Sequence, residues 1–272
     1  MADEKVTQLT ENTSLVSTDL LYLVDDPSGT PLGQKVSVAT LVNGWIAAAE
    51  TWTYYGETPP LFTVTISGDK TGIYWAGMKV KLTQTTTKYF IIVKSEYSNP
   101  NTILTLYGGT LNTLLDAAIS SPYYSLARFP QEFPLVTTYW EQIYKDTSDR
   151  TQASPVQNTW YNLGSASLSL PIGFWVVSYK VNIQCDDAAS PANITVALSS
   201  SPSSSSDTEW EHRGGNSIQG NVNYPAFNSK YIFNTGTFTY YLIVRTTNAS
   251  MDTLHFRGDA TPTIIRAFSA YI

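Results

Sequence analysis

Two histidines are the residues of this chain best suited to acid–base chemistry or metal binding. His212 and His255 lie far apart in the sequence, and neither occurs in HExxH or in another spacing typical of metal ligands. The sequence also contains no GxSxG, P-loop or GxGxxG motif. This thin inventory of bases, nucleophiles and metal ligands predicts a protein that is not an enzyme and needs no cofactor.

Carboxylates that come close together could catalyse glycoside hydrolysis or bind a cation, and three groups of them occur. Asp25-Asp26 and Asp186-Asp187 stand where aspartate is favoured by local turn chemistry. In DTEWEH, Asp207, Glu209 and Glu211 alternate, so an extended backbone would point all three carboxylates to one side, as a calcium ion requires. The segment lacks the glycine and the spacing of an EF-hand loop, so no metal site is predicted.

The segment from Ser199 to Tyr231 combines flat aromatic side chains with many Ser and Asn hydrogen-bonding groups. Antibody loops bind their targets with the same combination. One interpretation is a receptor-binding surface, and the other is a solvated connection whose aromatic side chains fold back onto the protein. The candidate receptor-binding residues are Trp210, His212, Arg213, Tyr224 and Phe227.

Composition restricts the class of protein and its partners. The 272 residues carry a formal net charge of -6 and contain no Lys/Arg run, which argues against nucleic-acid binding. Charged residues make up 14% of the chain and aromatic residues 13%, with many Ser, Thr and Asn, as is typical of strands and polar loops. Since no secretory signal and no run of about 18 apolar residues occurs, we expect synthesis in the cytoplasm and no membrane insertion.

The first fifty residues predict a hairpin followed by one helix. The sequence DDPSG at 25–29 is a strong turn signal between two short extended runs. Ser37 can cap a helix whose apolar residues repeat on one face as far as Ala49. A helix of about four turns is marginal alone in water, so this face packs either on its own chain or on copies of itself. The residues assigned to self-association are Val38, Leu41, Val42, Trp45 and Ile46.

The rest of the chain predicts strands. Between Phe62 and Tyr124, short runs of β-branched and aromatic residues are separated by glycines, which indicates a compact β module. From Trp160 onward the alternation of apolar and polar residues is longer and cleaner, most clearly over 174–184. Half-buried strands of this kind pair their apolar faces across two sheets, which favours an antiparallel jelly-roll sandwich.

Prolines and polar runs indicate the domain boundaries. Pro130 and Pro134 in RFPQEFP interrupt strand pairing, and the following YKDTSDRTQASP is polar and charged. We therefore predict a mainly β protein in four parts. They are an N-terminal arm with one helix (1–56), a small β domain (57–137), an exposed linker (138–159) and a C-terminal jelly-roll head domain (160–272).

Three stretches resemble structural proteins of tailed bacteriophages. LTENT, STDLLYLVDD and KVSVATLVN, at 9–43, resemble the short arm that attaches tail and fibre proteins to the virion. The middle of the chain, with SGDKTGIYWAGMKVKLTQ, KYF and TLYGG, resembles a module of tail and minor structural proteins. TWYNLGSASLSLPIGFWVVSYKVNIQ, VALSSS and the closing IRAFSAYI resemble the trimeric jelly-roll heads of phage fibres, which are similar in shape to the C1q and tumour-necrosis-factor families.

The resemblance implies a virion protein that assembles as a homotrimer. Its N-terminal arm would bind other virion proteins, and its head domain would bind a host cell-surface glycan or protein. The function expected from it is a tail fibre or tail-tip component for host attachment. A head fibre, a neck protein or a capsid decoration protein remains an alternative, and an enzyme that degrades surface polysaccharide is a third.

Overall fold

A computed structural model describes residues 20–25, 32–38, 42–186, 193–214 and 222–272. In these ranges the chain is mainly antiparallel β, which confirms the predicted fold class. The strands form a two-stranded hairpin near the N-terminus, a seven-stranded middle sheet and two further sheets that form a C-terminal sandwich.

The N-terminal hairpin pairs β1 (Leu20–Asp25) with β2 (Leu32–Ser37) in antiparallel register. Leu20 lies opposite Ser37 and Asp25 lies opposite Leu32. This pairing confirms the hairpin predicted from the DDPSG turn signal, whose residues after Asp25 lie outside the described ranges.

The middle sheet is one antiparallel layer in the order β3-β9-β6-β7-β8-β5-β4. Its strands are β3 (Ile46–Ala47), β4 (Thr53–Thr58), β5 (Leu61–Ser67), β6 (Lys79–Thr83), β7 (Thr87–Ser98), β8 (Asn101–Tyr107) and β9 (Ser120–Ser125). Strand β5 illustrates why the sequence folds this way, since every second residue, Phe62, Val64 and Ile66, is buried. These side chains pack in a core that also contains Trp52.

The C-terminal sandwich contains the remaining strands. The first sheet contains β10 (Glu141–Asp146), β11 (Asp149–Ala153), β13 (Gly173–Asp186), β16 (Val222–Asn234), β18 (Thr253–Arg257) and β19 (Thr263–Ser269). The second contains β12 (Ser167–Leu170), β14 (Ile194–Ser199), β15 (His212–Arg213) and β17 (Phe238–Thr246). Strand β13 lies at the centre of the first sheet, where it pairs with β16, β18 and β19.

The strand order of the sandwich is that of a jelly roll. Strands β10 and β11 are two parts of one interrupted edge strand. They pair with β19 and β18, which are two parts of an interrupted strand inside the sheet. Counted in this way, eight strands give the orders 1-8-3-6 and 2-7-4-5 in the two sheets. The segment between β10 and β11 contacts the segment between β18 and β19. A Cβ atom on Gly258 would lie 2.3 Å from the carbonyl oxygen of Ser148. Only glycine fits at this contact.

The stretch predicted as an exposed linker, 138–159, instead forms part of the jelly roll. Strand β10 pairs with β19 along its whole length, and β11 pairs with β18. The prediction was wrong because an edge strand keeps one face in water and tolerates charged residues there. In β10, the exposed Lys145 alternates with the half-buried Tyr144, which packs against the core. The sandwich therefore begins at Glu141 and not at Trp160.

The predicted helix is wrong over its second half. Val42 has helical backbone, but the chain then turns, and Ile46–Ala47 forms β3 against β9. The Asn43 side chain accepts a hydrogen bond of 2.8 Å from the backbone N–H of Trp45, and Gly44 adopts a φ of 74°. An asparagine turn followed by a left-handed glycine ends a helix, and apolar periodicity alone does not reveal this stop.

The middle sheet contributes to the jelly-roll core, which is distinct from the core around Trp52. Tyr107 at the end of β8 contacts Trp175 of β13, with ring centroids 5.3 Å apart and planes nearly perpendicular. Phe133 stacks on Trp140 at 5.0 Å, and the Trp140 indole N–H donates a 2.7 Å hydrogen bond to the Pro134 carbonyl. The proline-containing segment expected at a domain boundary therefore lies inside the contact between the two layers.

Candidate binding surface

The carboxylates of DTEWEH are held by cations of the protein itself. Asp207 accepts a hydrogen bond of 3.0 Å from the backbone N–H of Glu209, in a short 3-10 turn at Thr208–Trp210. Lys230 of β16 lies 2.7 Å from Asp207 Oδ2 and also contacts Glu209. The Lys230 ammonium lowers the pKa of Asp207 below its ordinary value. These contacts use the carboxylates in ion pairs and not as a group of three ligands.

Trp210 lies in the interior and not on the surface. Its side chain is 3% exposed and packs in the jelly-roll core. The Tyr179 hydroxyl donates a 3.0 Å hydrogen bond to the Trp210 carbonyl, and burial raises the pKa of that hydroxyl. The aromatic side chain predicted as a receptor contact therefore acts as an anchor that fixes the 3-10 turn to the sandwich.

The other four candidate receptor-binding residues come together on β15 and β16. His212 Nε2 lies 2.5 Å from the Tyr224 hydroxyl oxygen, and His212 Nδ1 lies 3.1 Å from the Phe227 carbonyl. The Tyr224 hydroxyl donates to the Arg213 carbonyl at 3.3 Å, and burial raises the pKa of Tyr224. Phe227 is 65% exposed, and Arg213 is also exposed. The cluster offers an aromatic surface and a cation to a partner.

A separate cavity of about 310 Å³ lies between the C-terminal ends of β14 and β16, next to the turn that contains Asp207 and Trp210. Aromatic side chains at its rim, Phe233 and Phe238, are 62% and 44% exposed. Its polar lining includes Asp207 and Asn234, and the Tyr240 hydroxyl donates to Asn234 Oδ1 at 2.8 Å. Aromatic faces next to fixed acceptors and donors suit a hydroxyl-rich ligand.

The outward side of the first jelly-roll sheet carries an aromatic patch that was not predicted from the sequence. Cross-strand register places Phe174 opposite Phe233, Val176 opposite Tyr231 and Lys180 opposite Phe227. Alternate residues of β13, such as Trp175, are buried in the core, so these partners point outward. We call this patch the outer aromatic face and define it as Phe174, Val176, Phe227, Tyr231 and Phe233.

The signal for this face is present in the sequence as alternation. In AFNSKYIF, Phe227, Tyr231 and Phe233 stand at odd positions, as strand residues on one side do. The prediction placed most of this segment in a loop, whereas Val222–Asn234 forms strand β16. The Phe174 and Tyr231 rings stack at 5.7 Å across the strand pair.

The residues assigned to self-association do not form one surface. Trp45 is 5% exposed, donates its indole N–H to the Gln131 carbonyl at 2.7 Å and lies 6.2 Å from the Tyr89 ring. Val42 and Ile46 are 70% and 42% exposed. Val38 is partly buried, and Leu41 lies outside the described residues. The tryptophan at the centre of the predicted stripe packs on its own chain, because β3 brings it against β6, β7 and Phe133.

In the described part of the chain, no group of three or more His, Cys, Asp or Glu side chains is arranged to hold a metal ion. His255 contacts only two carboxylates, Asp149 and Asp186, each at 3.3 Å. Over the same residues, the helices are all too short or too polar to cross a membrane.

Comparisons with known proteins give distant structural likenesses alone. No protein-family model matches the chain, and a search of curated proteins found no match. Among solved structures, dimeric latent PorU from Porphyromonas gingivalis is 8% identical with a TM-score of 0.28, over 83% of this chain and 24% of that one. The infectious bursal disease virus Gx strain structure is 12% identical with a TM-score of 0.29, over 81% and 62% of the two chains.

The VP2 subviral particle of infectious bursal disease virus is similar to the same degree. Its identity is 11% and its TM-score 0.29, and the match covers 80% of this chain and 62% of that one. The chain thus spans less than two thirds of these proteins. At such TM-scores the likenesses establish neither a common fold nor a common role.

Proposed function

We propose that this chain is a structural protein of a virus particle, and specifically a homotrimeric fibre or tail-tip component of a tailed bacteriophage that contributes to host attachment. The proposal combines the sequence resemblance to phage tail and fibre proteins with the jelly roll that this resemblance implies. The observation that carries it is the outer aromatic face, which a monomer in water has no need to expose.

The size of the outer aromatic face fits contact with further copies of the chain. Phe227, Tyr231 and Phe233 are 65%, 65% and 62% exposed. At about 200 Å² for each aromatic side chain, they present roughly 400 Å² of surface to water. That is about half of what one partner buries in a stable interface of ordinary size, which is roughly 800 Å². Phe174 and Val176 extend the same patch.

In this proposal the other parts of the chain have separate roles. The N-terminal arm binds virion proteins, and the middle sheet packs against the head through the shared core. His212 and Tyr224, which lie outside the outer aromatic face, contact a glycan or protein on the host surface. Adhesion then needs surface complementarity and no turnover.

The mass of the full-length protein in solution tests the trimer. We expect light scattering to give about three times the chain mass of 30.0 kDa. Tyr231→Glu should give monomers, because assembly would bury three unpaired carboxylates near one another. Tyr55→Glu is the matched control, since Tyr55 in the middle sheet is 64% exposed and lies away from the outer aromatic face. It should remain trimeric.

Two results would contradict this account. If the wild-type protein is a monomer, the outer aromatic face does not bind further copies of the chain and the proposed trimer is wrong. A Tyr231→Glu protein that stays trimeric would place the interface elsewhere. Host attachment is tested separately by sedimenting labelled trimer with the bacteria on which the phage grows; absence of binding would favour a head-fibre or decoration role.

A further inference from the structure

The outward side of the second jelly-roll sheet carries a row of two arginines around one threonine. Thr195 of β14 lies opposite Arg213 of β15 on one side and opposite Arg245 of β17 on the other. Since adjacent strands are about 4.8 Å apart, the two arginine backbones are about 10 Å apart. Neighbouring residues such as Val244 are buried in the core, so the row faces away from it.

A cavity of about 280 Å³ lies over this row. Among the residues that the structure describes, its lining includes Asn193, Thr195, Arg213, Gly214, Arg245 and Thr247. These residues supply hydroxyl, amide and guanidinium groups and no carboxylate. The cavity therefore combines positive charge with neutral hydrogen-bonding groups, and it lies on the opposite sheet from the outer aromatic face.

Within the described ranges, Arg245 has no partner of the kind that a guanidinium group ordinarily has in a folded protein. Its Nε atom is shielded from solvent and has no hydrogen-bond partner among the described residues. Those residues also place no carboxylate within ion-pair distance of it, whereas Arg150, Arg257 and Arg266 each contact one. A shielded N–H without an acceptor is costly, so the site is suited to an acceptor supplied from outside the chain.

Stacking holds the Arg245 guanidinium in place. The group lies over the Trp160 ring, 4.7 Å from its centroid. A stacked guanidinium keeps its in-plane N–H groups available, and these match the two oxygens of a phosphate or carboxylate. Arg213 is already engaged, because its Nε and Nη2 atoms donate to Glu211 at 3.2 and 2.8 Å. Arg245 is thus the main cation of the cavity and Arg213 a secondary one.

We propose that this cavity binds the anionic group of a ligand, a phosphate or a carboxylate, with Arg245 as the principal contact and Thr195 and Arg213 beside it. Binding of a small anion by the purified protein does not depend on a role in the virion. The natural source does rest on the proposed function: it would be a host-surface polymer carrying either phosphodiesters or acidic sugars.

Calorimetric titration of the full-length protein with small probes tests the site. Glycerol 3-phosphate represents the phosphodiester source and glucuronate the acidic sugar, with glycerol and glucose as uncharged counterparts. We expect at least one anion to bind, neither uncharged compound to bind, and affinity to fall as salt is added. The anion that binds more tightly identifies the source.

Substitutions then locate the binding. Arg245→Gln should lower the affinity for the anion at least tenfold, because it removes the unpaired charge. Arg213→Gln should lower this affinity about threefold, because Glu211 already neutralises part of the Arg213 charge. Lys94→Gln is the control, since it removes one exposed charge of the middle sheet and should change nothing. Unchanged melting temperatures show that the variants are folded.

Three outcomes would overturn the proposal. They are no binding of either anion, equal binding of the uncharged compounds, and equal affinity in wild type and in both folded arginine variants. Failure of the virion role would appear differently, as anion binding by a protein that neither forms trimers nor sediments with bacteria.

Discussion

Lys79 connects the middle sheet to the C-terminal end of the jelly roll, and its burial predicts an unusual dependence of stability on pH. The side chain is 2% exposed, and Nζ donates to the carbonyls of Tyr271 at 2.7 Å and Gly77 at 3.1 Å. Burial and, to a smaller extent, the positive charge of Arg128 lower the pKa of Lys79 from 10.5 to about 8.

The direction of the effect follows from the protons bound in each state. Between pH 8 and pH 10.5 the unfolded chain keeps the proton on Lys79 while the folded protein has lost it, so the free energy of unfolding rises with pH. The difference between the two pKa values corresponds to about 3 kcal/mol in the free energy of unfolding, and about 2 kcal/mol of this is gained between pH 8 and pH 10. Above pH 10 tyrosines oppose this rise, because burial raises the pKa of Tyr107 to about 12.

Urea denaturation at pH 8 and pH 10, at one protein concentration, measures this effect. From pH 8 to pH 10 the free energy of unfolding of the wild type should rise by about 2 kcal/mol more than that of Lys79→Met. This substitution keeps the length of the side chain and removes the titrating group. Lys94→Met, at a partly exposed lysine, should behave as wild type. If Lys79→Met and the wild type show the same change with pH, the buried ammonium does not control stability and the reasoning fails.

Two further predictions concern the packing of the middle sheet. Gly109→Ala should destabilise by about 3 kcal/mol, because Gly109 has a φ of 64° and a Cβ there would lie 2.0 Å from the Tyr139 carbonyl oxygen; a wild-type melting temperature would contradict this. Tyr74→Phe should lower the free energy of unfolding by about 1 to 2 kcal/mol, because the Tyr74 hydroxyl donates a 2.7 Å hydrogen bond to Glu50. Equal urea midpoints for this variant and the wild type would refute this prediction.

The sequence predicts the fold class well because strand periodicity is a local signal. Phe62, Val64 and Ile66 alternate with exposed or half-buried residues, and so do Trp175 and Val177. The jelly-roll order depends on register between distant strands, which periodicity does not contain. The sandwich was predicted from the alternation of the strands and the jelly roll also from the resemblance to fibre heads, and the observed strand order agrees with both.

The candidate site was harder to predict because exposure depends on tertiary contacts. Trp210 and Phe227 are both large aromatic residues in a polar segment, yet one is 3% and the other 65% exposed. Trp210 is the last residue of a 3-10 turn and packs in the core, whereas Phe227 lies on the outward side of β16. The arginine row is invisible in the sequence, since β15 and β17 bring Arg213 and Arg245 to either side of Thr195 only after the sheet has formed.

The shared core has a consequence for how the proposed fibre protein would carry force. Phe133 and Trp140 stack between the middle sheet and the jelly roll, and Arg128 donates to the Ile272 carbonyl at 2.8 Å. Domains joined by a flexible linker rotate independently, whereas a contact with aromatic packing and hydrogen bonds on both sides resists rotation. A head bound to a host surface would therefore pull on the middle sheet directly, and the hydrogen bond from Lys79 to the Tyr271 carbonyl, just after β19, would carry part of that load.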